Sequence, residues 1–320
     1  MLYYVGLNEE RIGNTKIFNG SITIMGSNNN HNYAYNKIYN KTLDYNDITK
    51  LDEISKFYSE YMWKIICKDP DAKFMFYSLV NTSKLDNKVR NHIVCNNTNE
   101  IYSTLNNKIE CRKLLESDIV LLQYKYLKGS EISYSKISEL LPNFKRYVVQ
   151  QPFGFAGYGT FLLTEKNDNT IQNKLKTEVV YSISGYEENS ISINNTFLIS
   201  NNKILIFPGS YQIIAVSDQL NYDGYSFEDY QNLSKTLKTK INQQTHKICK
   251  KLQKIGYRGI GGVDYIIKDN KIYFMEINPR FQTSSTKLND ILIDKGYPDI
   301  YTLNLNSFYN EDKLPFEIKN

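Results

Sequence analysis

Apolar residues at Leu51, Ile54, Tyr58, Tyr61, Met62, Ile65 and Ile66 recur every three to four positions, and Asp69-Pro70 follows as a stop. That spacing predicts a helix. Before it, 21–25 is a short β-branched run ending at Gly26-Ser27, and after it 73–79 and 92–95 read as strands. Strand and helix therefore alternate over the first hundred residues, which predicts an α/β lobe with a partly parallel sheet. The tyrosine- and asparagine-rich stretch 31–41 predicts a loop.

Beyond residue 105 the pattern sharpens. Residues 108–115 predict a helix, and 146–150 a strand that runs into QQPFGFAGYGTFLL. Further strands fall near 178–183 and 190–193. Ser226 with Asp229 three positions on resembles a capping box. It predicts one long helix with the stripe Leu233, Leu237, Ile241, Ile248, Leu252 and Ile255, stopped by Gly256. The run GYRGIGGVDYIIKDNKIYFMEINPRFQTSS reads as strand, polar turn and strand.

Candidate chemistry sits on that last hairpin. Glu276 and Asn278 are two apart, so they share a strand face. A three-residue loop at 269–271 sets Asp264 opposite Glu276, whereas a two-residue loop sets it opposite Met275. Asn270 tolerates the left-handed backbone such loops need, which favours convergence. Two carboxylates and an amide carbonyl form a hard oxygen ligand set suited to Mg²⁺ (Mn²⁺ as the alternative) that also takes phosphate oxygens. Arg280, two further on, brings a cationic fork. Such a pattern is often only a solvated sheet face. Here Ile260, Val263, Ile266, Ile272, Phe274, Met275 and Ile277 imply buried strands, whose polar groups need partners.

In QQPFGFAGYGT, Gly154, Gly157 and Gly159, with Ala156, would let backbone N–H groups approach phosphate. The stretch is neither a Walker A motif nor a dinucleotide-binding fingerprint.

Composition narrows the class. The 320 residues carry 39 Lys and Arg against 34 Asp and Glu, a net charge of +5, too mild to argue for a nucleic-acid partner. With 41% hydrophobic and 23% charged residues the chain is not disordered. No run approaches a membrane span, and the start lacks the regions of a signal peptide, so a cytoplasmic protein is expected. Cys67, Cys95, Cys111 and Cys249 form no CxxC pair, and His31, His92 and His246 lie far apart, with no HExxH. Neither a disulfide framework nor a cysteine zinc site is expected.

Taken in order, NNK at 106–108, QQPFGFAGYGT, EVVYSISGYEENSISI at 178–193 and GGVDYII…FMEINPR at 261–280 resemble the ATP-grasp superfamily of ligases over about residues 105–285. The resemblance implies an α/β (α+β) ATP-grasp fold with three parts. These are an N-terminal pre-ATP-grasp α/β subdomain (1–105), a small mobile subdomain with the glycine-rich loop (106–183), and a C-terminal subdomain with the Mg/ATP site (184–320). It further implies that Lys108 reaches ATP phosphates and that Gly154, Gly157 and Gly159 close over the triphosphate. Val180, Tyr181, Ser182 and Ile183 would offer backbone groups to adenine, and Glu188 would bind the ribose. Asp264, Glu276 and Asn278 match the magnesium ligands, and Arg280 the arginine that steadies the transferring phosphate.

One position departs from the family pattern. The second phosphate lysine falls on Gln150, or Gln151 if the loop gap differs, which removes a charge worth about 1–3 kcal/mol of phosphate binding. Lys145 or Arg146 would be the nearest basic substitutes, and Gln150→Lys is expected to hold or tighten nucleotide binding.

The reaction implied is activation of a carboxylate as an acyl-phosphate and its transfer to an amine. The substrates expected are a small carboxylic acid or amino acid and an amine acceptor. The alternatives are transfer to a carrier-protein thiol, with the basic helix face Lys235, Lys238, Lys247, Lys250, Lys251 and Lys254 toward the carrier, and a non-catalytic ATP-binding regulator. Residues 207–224 and 283–285, with Ser210 and Gln212, are expected at the acceptor end. No membrane partner and a monomer or homodimer are expected.

Overall fold

The computed structural model describes residues 1–43, 50–78, 81–154 and 157–318. Leu79, expected to end a strand, and Ala156 of the glycine stretch lie outside the described residues. Three sheets follow one another along the chain.

The first contains β1 (Leu2–Asn8), β2 (Gly20–Met25), β3 (Asn32–Ala34), β4 (Lys73–Phe76) and β5 (Ile93–Val94), with α1 (Tyr35–Ile38), α2 (Leu51–Ile66) and α3 (Asn87–Arg90) between them. Its order is β3-β2-β1-β4-β5 and every pairing is parallel. Tyr3, Val5, Ile22, Ile24 and Phe74 pack against the stripe of α2, while Tyr4 and Met75 point to the other face. Both faces are thus apolar, as a covered parallel sheet requires. The stretch 31–41 is not a loop. It supplies edge strand β3 and α1, because pairing with β2 satisfies its backbone and Tyr35 packs on Phe57 with ring centroids 5.3 Å apart. Tyr35 belongs to the core and Tyr33 packs against it half-buried, while Tyr39 stays exposed.

The middle of the chain gives α4 (Asn99–Asn106), α5 (Lys108–Leu115), β6 (Lys125–Lys128), α6 (Tyr134–Leu140), β7 (Tyr147–Gln150), β8 (Thr160–Leu163), α7 (Asp168–Gln172) and β9 (Val180–Gly185). Its four strands form an antiparallel sheet in the order β6-β9-β7-β8. Strand alternation divides its residues. Tyr147, Val149, Phe161, Leu163, Tyr181 and Ile183 pack on Ile137 and Ile171 of the helices. Gln150 and Ser182, at the alternate positions, project from the opposite face.

The third sheet, β12-β11-β10-β13-β14, is antiparallel. It comprises β10 (Ile191–Ile199), β11 (Ile204–Val216), β12 (Leu220–Ser226), β13 (Gly259–Lys268) and β14 (Lys271–Asn278). The helix expected from Ser226 onward is two helices, α8 (Phe227–Gln231) and α9 (Lys235–Lys254). Ser226 accepts from the Asp229 N–H at 3.0 Å, but Ser234 caps a second start through the Leu237 N–H at 3.2 Å. Two good caps eight residues apart make two short nuclei cheaper than one continuous helix. α9 buries Leu237, Ile241, Ile248 and Leu252 against Ile193, Val263, Tyr265 and Phe274. The closing helices α10 (Ser285–Asp294) and α11 (Ile300–Tyr309) return to the first sheet, where Leu288, Leu292 and Tyr301 cover Tyr4 and Met75.

Candidate nucleotide and metal site

The β13–β14 turn decides where the acidic side chains fall. Lys268 pairs with Lys271, and Asp269 and Asn270 both have positive φ, +51° and +59°. The loop is therefore two residues, not three, with both central residues left-handed as in a type I′ turn. By itself it would set Asp264 opposite Met275. A β-bulge restores the facing: Tyr265 pairs with Phe274 and Asp264 with Glu276, so that Met275 is the extra residue. Asp264 and Glu276 therefore converge, by a route the loop-length argument did not contain.

Asp264 also lies opposite Asn194 of β10. Its two oxygens accept from Asn194 Nδ2 at 2.6 Å and Asn278 Nδ2 at 2.8 Å. Asn278 Oδ1 accepts from Arg280 at 3.0 Å. Glu276 pairs with the ammonium of Lys108 and accepts a long contact from Gln150 Nε2 at 3.5 Å. Burial, and then the charge of Glu276, push the Asp264 carboxyl above the usual carboxylate range against its amide hydrogen bonds. Burial acts upward on Glu276 too, but Lys108, with Arg112 and Arg280, outweighs it and holds that carboxyl below its ordinary value. Two carboxylates and an amide side chain on one face, one acid raised by the other, form a set that a divalent cation would relieve. The donor chemistry fits Mg²⁺. Among the described residues no group of three or more His, Cys, Asp or Glu forms a denser metal site.

The other expected residues are placed as follows. Lys108 opens α5, which Asn107 caps, and its backbone N–H donates to Pro152 O at 2.8 Å, tying the helix start to the glycine stretch. Gly154 lies in that stretch. Gly157 has φ +87°, and a Cβ there would meet Leu220 O at 2.1 Å; at Gly159, φ +70°, it would meet the Gln151 side chain at 2.0 Å. Neither position admits a side chain without displacement. Gln151 therefore packs beneath the loop, and Gln150, 9% exposed, is the glutamine that faces Glu276.

Three placements differ from expectation. Ser182 and Ile183 pair with β6 on one side and β7 on the other, so their backbone groups belong to the ladder rather than to an adenine contact. The side chain of Tyr181 is buried in the small sheet's core. Arg146 pairs with Glu188 at 2.9 Å and Lys145 is exposed, so neither of these basic residues contacts the Asp264 cluster in the structure. Glu188 is not among the Asp264 cluster. Its carbonyl accepts from Lys268, four residues beyond Asp264 and so about 13 Å along the strand.

Arg112 is the residue that sequence reasoning missed. It follows Lys108 by four positions on α5 and therefore shares its face. That spacing was the available signal. At the expected acceptor end, Ser210 is buried opposite Asn194, Gln212 lies two residues further along the same strand, and Thr283 O accepts from Arg11 at 3.1 Å. On α9, Lys251 pairs with Asp118 and Lys238 donates to Gln231 O at 2.9 Å, so these two lysines of the basic face are engaged within the chain. No helix of the described residues is long and apolar enough to cross a membrane.

The model of the ATP-grasp domain matches residues 105–284. The [Butirosin acyl-carrier protein]--L-glutamate ligase of Niallia circulans is 23% identical over 202 residues, 60% of this chain and 46% of that protein. This chain thus spans less than half the length of that curated relative. N5-carboxyaminoimidazole synthetase of Staphylococcus aureus, solved with ADP, superposes with a TM-score of 0.60 at 17% identity, covering 99% of this chain and 79% of that one. The carboxyaminoimidazole ribonucleotide synthase of Aspergillus clavatus, solved with ATP, gives 0.66 at 14% identity, again over 99% and 79%. The order of the three sheets and the hairpin cluster of Asp264, Glu276 and Asn278 fall within that shared fold, and the matched family covers more than half of the sequence. The chain belongs to the ATP-grasp domain family.

Proposed function

We propose that the chain is an ATP-dependent ligase that activates a carboxylate as an acyl-phosphate and joins it to an amine, releasing ADP and phosphate. The observation that carries this reading is the convergence of Asp264, Glu276 and Asn278 with Lys108, Gln150 and Arg280 between the inner faces of two antiparallel sheets. Asp264, Glu276 and the Asn278 amide would hold Mg²⁺, with Mn²⁺ as a substitute. When bound, that ion offsets phosphate charge and fixes the direction of attack.

Each residue of the chain then has a physical task. Lys108 can turn from Glu276 to a phosphate oxygen once the acid has a cation to face. Arg280 already holds the Asn278 oxygen and would exchange that contact for the transferring phosphoryl group. The stretch containing Gly154, Gly157 and Gly159 would supply N–H groups and keep water from the acyl-phosphate. Glu188 would have to exchange its pairing with Arg146 for the ribose hydroxyls. Val180 and Tyr181 pair with β6 but lie beyond the end of the β7 pairing, so their backbone groups on the β7 side would be left for the base, whatever the burial of the Tyr181 side chain.

A second reading is favoured by the curated relative whose name describes loading glutamate onto a carrier protein. In it the acyl group passes to a carrier thiol, and Lys235, Lys247, Lys250 and Lys254 face the acidic carrier. A phosphate-release screen of amino acids and small carboxylates with Mg-ATP, each in pairs and each with a phosphopantetheine-bearing carrier protein, tests both. Release that depends on an acid and a free amine supports the first reading, and release that depends on a carrier thiol supports the second. ATP binding without release in any mixture contradicts both and leaves a regulatory nucleotide binder.

A further inference from the structure

Arg112 is a buried guanidinium without an acidic partner. It is 1% exposed, and its hydrogen bonds all go to neutral acceptors: Met275 O at 3.2 Å, Ser182 Oγ at 2.7 Å and Gln150 Oε1 at 2.6 Å. The Tyr124 ring stacks on it at 4.0 Å. Among the described residues no carboxylate lies within ion-pair distance of it, and the acid it influences, Glu276, is already paired with Lys108. A buried cation left in this state is costly, so the fold holds it for a reason other than a local pair.

Gln150 shows what that reason is. A guanidinium has only donors, so the glutamine must turn its oxygen toward Arg112 and its amino group the other way. That amino group makes only loose contacts, 3.4 Å to Thr160 Oγ1 and 3.5 Å to Glu276. Its donors face the Asp264–Glu276 cluster under-used. Ser182 Oγ, which Arg112 also holds, donates to Gln150 O at 3.3 Å and braces the same residue. The cluster contains Lys108, Arg112 and Arg280 against Asp264 and Glu276, a positive excess that an anionic ligand would balance.

We propose that Arg112 is a positioning residue that, through the Gln150 amide, supplies the phosphate-binding charge for which the ATP-grasp pattern uses a second lysine. The charge is moved from the strand to helix α5, and the glutamine is its polarised relay to the triphosphate. This rests on the nucleotide-binding reading above. It also reverses the expectation for Gln150→Lys. That ammonium would sit against a buried guanidinium, so the single change should weaken Mg-ATP binding rather than hold or tighten it.

A charge swap tests the proposal, with calorimetric binding of Mg-ATP and of adenosine as readouts. Arg112→Met should weaken Mg-ATP by about 10- to 100-fold, the loss expected for one charge-assisted hydrogen bond, and leave adenosine unchanged. Arg112→Lys should recover part of the loss. Combining Gln150→Lys with Arg112→Met should bring Mg-ATP affinity to within about threefold of the unmodified chain, because the charge then sits on the strand. If Arg112→Met does not fold, Gln150→Ala removes the relay and should show the same selective loss. A double variant no better than Arg112→Met, or Gln150→Ala binding as tightly as the unmodified chain, would overturn the relay and leave Arg112 a structural strut. An unmodified chain that binds no Mg-ATP would instead bring down the nucleotide reading itself.

Discussion

Glu276 faces two demands that cannot both be met at once. It neutralises Lys108 in the structure, and under the proposed function it would face a cation while Lys108 turns to phosphate. Glu276→Gln keeps the shape and a hydrogen-bond acceptor but removes the charge. We expect it to lower ATP turnover by about 100-fold or more while the fold persists, as judged by phosphate release alongside circular dichroism. Glu276→Ala should in addition lower stability, since it strands a nearly buried ammonium. The cysteines give a check that is independent of the site. Burial pushes the Cys95 and Cys111 thiols up to about 12 and raises Cys249 well above its usual value, whereas Cys67 is exposed. Thiol titration of the native chain should therefore find fast reaction at Cys67, slow reaction at the half-buried Cys95, and reaction of Cys111 and Cys249 only on unfolding. Fast reaction of Cys111 would show that the helix carrying Lys108 is not packed as described.

Among the elements, the β13–β14 hairpin separates what local sequence encodes from what packing adds. Asp269-Asn270 carries the preference for a two-residue left-handed turn, a signal that the expected three-residue loop passed over. The bulge at Met275 was not readable, because it depends on how β14 packs against α5 and on Tyr265 and Phe274 sharing the core under α9. Helices α2 and α5 were legible, each having a clear apolar stripe or a cap. The break between α8 and α9 was missed because the Ser226 cap was joined to a stripe that begins only at Leu233, and Ser234, which caps α9, was passed over. Helix period reports which face is buried and not whether the backbone is continuous. The site was legible in the same uneven way. Asp264, Glu276 and Asn278 stand in a compact motif, but Arg112 enters through a contact between α5 and β7 that no local spacing of β7 contains. One consequence concerns the turn itself. Asn270→Gly should stabilise the chain by a few tenths to about 1 kcal/mol in chemical denaturation and leave turnover unchanged, because the bulge fixes the facing of Asp264 and Glu276. Asn270→Val, forced to a positive φ, should cost about 1–2 kcal/mol. A large loss of activity in Asn270→Gly would mean that the turn, not the bulge, sets the register.

The whole molecule is an arrangement of two antiparallel sheets that present polar inner faces to each other, with a parallel sheet locked to the larger one by α10 and α11. Its polar cleft concentrates cations that lack full acidic partners. A ligand that supplies anionic charge there should raise stability by mass action, by about 2.7 kcal/mol at a concentration 100 times its dissociation constant. The unfolding midpoint should therefore rise with Mg-ATP and much less with adenosine. Equal shifts for both would place the binding energy on the base and not on the phosphates. Under the proposed function, Asp264, Glu276 and Asn278 together hold a divalent cation carrying the triphosphate. The most direct test is calorimetric titration of ATP with Mg²⁺ and with EDTA, into the unmodified chain and into Asp264→Asn combined with Glu276→Gln. Tighter binding with Mg²⁺ is expected in the unmodified chain, and loss of that metal dependence in the variant; a metal effect of the same size in both chains would show that these three side chains do not hold the ion.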